Sequence, residues 1–224
     1  MDQKKLPEET GLGFYSRVSA SISHELKNSL AVINESAGFL EDLTLMVQKG
    51  VPLDPVRLST LAGTILKQVQ RSNGIIKNMN RLAHSLDEKR STVDLVGLLD
   101  LMMCLAERTA VTRGVRLSGD LPASPITVTS HPFFLETLIW LLIELALTTC
   151  GSEKTVIINV ADAGSGAHIT FSGLAELTEG AAEASFAGRM APLLKALRAG
   201  LEIDAGGGRL VVTLPQTLSV ESDE

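Results

Sequence analysis

Apolar residues in the first part of the chain recur every three or four positions. Phe14, Val18, Ile22, Leu26, Leu30, Ile33, Ala37, Leu40 and Leu43 make one continuous series, the pattern of a helix with a single apolar stripe. It predicts a helix over 12–48. Gly50, Pro52 and Pro55 then interrupt it, because proline lacks the backbone donor and glycine favours a turn. A second series follows at the same period: Leu58, Leu61, Ile65, Val69, Ile76, Met79, Ala83 and Leu86. Two such helices joined by a short turn form an antiparallel hairpin. A lone hairpin cannot cover both stripes. Pairing with a second copy as a four-helix bundle is the simplest remedy, so a homodimer is expected.

Beyond Asp87-Glu88-Lys89-Arg90-Ser91 the texture changes. The pattern predicts a helix over Val93–Thr109, with Asp94 as a fair cap, a strand in Arg113–Leu117 and a short strand over Ile126–Thr129. A strongly apolar helix should run from His131 to Thr149. Strands are expected at Thr155–Val160 and His168–Ser172, and a helix at Phe186–Ala199. A closing hairpin, Leu201–Asp204 with Arg209–Leu214, should turn at Gly206-Gly207-Gly208. The fold class is therefore α+β: a long helical hairpin followed by an α/β sandwich, one mostly antiparallel sheet with helices on one face. The expected divisions are a flexible N-terminus over 1–11, the hairpin over 12–90, the sandwich over 91–217 and an acidic tail over 218–224.

Composition narrows the function. The 224 residues are 45% hydrophobic and 21% charged, which suits a globular protein. A net charge of −6 and a pI near 5.3, without a basic cluster, argue against nucleic acid as a partner. The longest apolar run, Leu138–Leu147, contains Glu144 and is too short to span a bilayer. Cys104 and Cys150 fall inside apolar helical patterns, so buried free thiols in a reducing, cytoplasmic setting are expected. No metal site is expected.

Chemistry concentrates in Ser21-Ile22-Ser23-His24-Glu25-Leu26-Lys27-Asn28. At 100° per residue His24 lies opposite the Ile22/Leu26 stripe and should face solvent, with Arg17, Ser21, Asn28 and Glu35 on its side. A neutral imidazole nitrogen can attack phosphorus. Glu25 can accept or orient the proton on the other nitrogen, and Asn28 can hydrogen-bond a phosphoryl group or a water. His84, His131 and His168 stand apart from other candidate ligands and receive no role.

The run Ser-His-Glu-Leu-Lys-Asn, followed by Leu30 and Ile33-Asn34-Glu35-Ser36-Ala37, resembles the H-box of sensor histidine kinases. Arg71-Ser72-Asn73 and Asn80-Arg81-Leu82-Ala83-His84 look like the second helix of the same dimerisation and phosphotransfer hairpin. The resemblance implies His24 as the phospho-accepting histidine, Glu25 as its acidic partner and Asn28 as a residue of phosphatase or transfer steps. Ser29 stands where that family usually has proline, so a stiffer first helix is expected. The element order of 92–217 resembles the family's ATP-binding domain, but its nucleotide residues are mostly missing. Glu144 stands where the resemblance calls for a magnesium-holding asparagine, and its charge would oppose a triphosphate. Asp162-Ala163-Gly164-Ser165-Gly166 has the form of the adenine-reading motif, yet it follows one strand where the family has two, so it reads as a turn. A lid is left only Glu176–Ser185, with three glutamates that would repel phosphate, before Phe186-Ala187-Gly188-Arg189-Met190. Glu144 and Asp162 are thus weak nucleotide candidates.

The resemblance implies a phosphorelay protein that exchanges phosphoryl groups between His24 and receiver-domain aspartates, similar to kinase-like dimeric histidine phosphotransferases. No stably bound cofactor and no use of ATP are expected; magnesium would come with the receiver. Partners would be a second copy, response-regulator receiver domains and a sensor kinase. The alternatives are an active histidine kinase with a divergent ATP site, and a non-catalytic regulator docking on a kinase or response regulator.

Overall fold

The computed structural model of the chain describes residues 5–178, 180 and 189–218. These form two compact units. One is Arg17–Leu82; the other comprises the residues up to Ser16 together with those from Ala83 onward.

The first unit is the hairpin, built from α1 (Lys5–Gln48) and α2 (Pro55–His84). Helix α1 passes Ser29 without a break. It ends on Gly50, whose φ of 85° is the left-handed conformation that glycine adopts without penalty. Gly50 N–H donates to Val47 O and Val51 N–H to Met46 O, a closure that satisfies the last carbonyls of the helix. Asp54 starts α2 by accepting from Val56 N–H at 2.9 Å, with Pro55 preset for the first turn. One face of α1 buries Ile22, Ser29 and Ser36 at seven-residue intervals. Leu30 of the apolar stripe is 60% exposed and Leu66 61%, and Val69, Ile76 and Met79 also stand out.

The second unit holds β1 (Ser91–Asp94), α3 (Leu95–Thr112), β2 (Arg116–Asp120), β3 (Thr127–Ser130), α4 (Pro132–Thr148), β4 (Thr155–Asp162), β5 (Gly166–Ser172), α5 (Ala191–Leu197), β6 (Gly200–Asp204) and β7 (Arg209–Pro215). A five-stranded sheet has the order β2-β4-β5-β7-β6. Val156, Ile158, Ala167, Ile169, Phe171, Leu210 and Val212 alternate inward to a buried face, as the period of two requires. Helix α4 is apolar on every side, and nearly all of it is buried, packed with α3 and α5. Each fully buried leucine there contributes roughly 1.5–3 kcal/mol. Asp94 caps α3 through Val96 N–H at 3.1 Å. His131 caps α4, and its ring stacks on Phe134 with centroids 3.9 Å apart.

Several expectations need correction. The single sheet has a companion, because β1 pairs antiparallel with β3. The pair β2 and β4 is parallel. The N-terminus expected to be flexible over 1–11 is helical from Lys5. Phe14 is fully buried, its ring 6.1 Å from that of Phe133 and 5.5 Å from that of Trp140, so the first turns of α1 belong with the sheet. The compact hairpin unit ends at Leu82. Of the two thiols only Cys150 is buried, and burial raises its pKa; Cys104 is exposed. Helix α5 begins at Ala191; residues 186–188 and most of the expected lid and acidic tail lie outside the described residues.

Candidate phosphotransfer site

His24 lies on the exposed face of α1, within the hairpin unit. One helical turn later Asn28 is also exposed, and its Nδ2 lies 3.1 Å from His24 Nδ1. The spacing explains the contact, since residues four apart are neighbours on a helix surface. The hydrogen bond engages Nδ1 of the ring. The Glu25 carboxylate meets Arg71 of α2 at 3.5 Å, a contact that ties the two helices together beside His24. With one partner 60% exposed, the pair adds little stability and serves mainly to fix Glu25. Arg71 was quoted only as part of a resemblance. Which α2 residue faces Glu25 depends on the cross-hairpin register, and no local pattern announces it.

The other two candidates belong to the sheet unit. Glu144 is half-buried on α4. Asp162 ends β4 and accepts from Gly164 N–H at 2.7 Å, closing the tight turn to β5 with Gly164 at φ 74°. That carboxylate is engaged by its own turn. Among the described residues no group of three or more His, Cys, Asp or Glu is placed to hold a metal, and no helix is long and apolar enough to cross a membrane.

No protein-family model matches the sequence, and no curated protein does. Solved structures do match. The catalytic domain of histidine kinase ThkA superposes over 59% of this chain and 100% of its own length, with a TM-score of 0.50 and 14% identity. Over that part of the chain the fold is that of a histidine kinase catalytic domain. Broader matches of the same kind include a histidine kinase from Burkholderia phymatum, covering 91% of this chain and 98% of that one at TM-score 0.47 and 18% identity. ThkA in complex with the response regulator protein TrrA covers 96% of this chain and 65% of that one, at TM-score 0.48 and 16% identity. At 14% identity the likeness to the ThkA catalytic domain is one of fold, and the chemistry has to be argued from the residues.

Proposed function

We propose that this chain is a two-component phosphorelay protein that accepts a phosphoryl group on His24 and returns it to a receiver-domain aspartate. The observation that carries the reading is the exposed His24 ring held at Nδ1 by Asn28. Amide oxygen and nitrogen exchange places on a half-turn of the Asn28 side chain. With the oxygen toward the ring, Asn28 accepts Nδ1–H and leaves the Nε2 lone pair for attack. Nε2 then bonds to phosphorus as the aspartyl oxygen leaves with its electron pair, and the proton stays on Nδ1. The receiver carries the acyl phosphate and the magnesium, so this chain supplies a positioned nucleophile.

The working form is a homodimer in a cytoplasmic setting. Leu30, Leu66, Val69 and Ile76 are exposed along the hairpin and would be covered by the same faces of a second copy. ATP is not used, a reading supported by the engagement of Asp162 in its own turn. Autokinase activity is the second reading, favoured by the superposition on a kinase catalytic domain.

The test incubates the protein separately with phosphorylated receivers and with labelled ATP, and follows acid-labile phosphate on wild type and His24→Ala. Label from receivers alone, lost in His24→Ala, is expected. Label from ATP would establish the autokinase, and none from either would leave a docking regulator. Asn28→Ala should slow transfer roughly ten-fold or more by freeing the ring.

A further inference from the structure

The β4–β5 turn, the start of β6 and the end of β7 line an open pocket of about 460 Å³. It opens on the face of the sheet away from the helices: His168 and Thr213 point into it, while their strand neighbours Ala167, Ile169, Val212 and Leu214 are buried on the other face. It therefore lies on the opposite face of the sheet from the helix-covered side that carries Glu144.

The polar walls are Ser165, His168, Arg198 and Thr213. The His168 ring is held by a hydrogen bond between Nδ1 and Thr213 Oγ1 at 3.1 Å. Arg198 closes α5 with φ 50° and ψ 33°, a left-handed conformation that only Arg198 and Lys154 adopt among the described non-glycine residues. Glycine is the usual occupant of such a helix end, and a side chain there is disfavoured. An arginine kept in that conformation beside a cavity is the kind of local strain that marks functional positions. Gly166 and Gly200 also line it. Gly200 lies in register with Thr213, and a side chain on Gly166 would collide with the Leu214 carbonyl. No aspartate or glutamate lines the cavity.

We infer that this cavity binds the phosphate group of a small phosphorylated metabolite. The Arg198 guanidinium, the His168 imidazole and the Ser165 and Thr213 hydroxyls supply donors suited to phosphate oxygens. The volume lies in the range of small-molecule sites and leaves room for more than phosphate alone. The inference does not depend on the phosphorelay reading.

The test titrates the full chain with inorganic phosphate, and in parallel with acetate, at constant ionic strength, following the His168 ring and Gly200 amide signals by NMR. Saturable shifts with phosphate in the millimolar range are expected, together with weaker binding of acetate. Arg198→Gly suits the left-handed backbone, so its melting temperature should hold or rise while phosphate affinity falls about ten-fold or more. His168→Gln should weaken phosphate binding several-fold without unfolding the chain. Shifts that never saturate, or equal affinity in Arg198→Gly, would overturn the site. Acetate binding as tightly as phosphate would overturn the assignment to phosphate.

Discussion

The hairpin and the sheet unit handle apolar surface in opposite ways. Helix α4 hides almost every side chain it has, and the inward faces of β4, β5 and β7 complete a core within one chain. In the hairpin, large apolar side chains such as Leu30, Leu66 and Ile76 stay at the surface, while two serines, Ser29 and Ser36, are buried. An exposed apolar stripe is the pattern of a surface that associates, and an enclosed one that of a domain that folds alone. His24 stands on the exposed face of α1 in the hairpin.

The comparison can be broken or sharpened in order of expected effect. Phe14→Ala removes the α1 ring packed beside Trp140 and should cost the sheet unit about 3 kcal/mol. Trp140, the only tryptophan of the chain, should report the change by red-shifted emission. Unaltered emission and melting would return the first turns of α1 to the hairpin. Leu66→Asp combined with Ile76→Asp should remove about 2 kcal/mol or more of dimer stability. Sedimentation should then show monomers, with the melting of the sheet unit unchanged. Asp94→Ala deletes the α3 cap and should lower sheet-unit stability by about 1 kcal/mol, read by denaturant titration, leaving the dimer intact.

The smallest effect is a pH dependence. Burial pushes the His131 imidazole below its ordinary value, Lys89 acts in the same direction, and Glu8 opposes it. The unfolded chain therefore takes up the proton first as pH falls. The contribution is fully present above the ordinary imidazole pKa and is lost as pH drops from there toward the lowered folded value. Protonation at Nδ1 also removes the acceptor that caps α4 at Phe134 N–H. His131→Asn keeps a capping oxygen and should flatten this part of the stability profile.

Much of this was legible in the chain itself. The helical period located α1 and α2, the unbroken apolar run located α4, and Asp94 and Gly50 marked ends that the structure places where capping chemistry predicts. Strand β1 escaped because Ser91-Thr92-Val93-Asp94 has one apolar residue and finds β3 more than thirty residues later. Its signal is non-local. The burial of Ser29 and Ser36 was not legible, since small polar residues carry no hydropathy signal where the helix is covered. His24 and Asn28 were readable as a pair because they share one turn. Glu25 and Arg71 were not, since their meeting depends on how two helices align across the turn.

The most direct test is ³¹P NMR of the protein after exchange with a phosphorylated receiver domain. The account predicts a phosphohistidine resonance on Nε2 that disappears in His24→Ala. Phosphate on another residue, or an unchanged signal in His24→Ala, would contradict it.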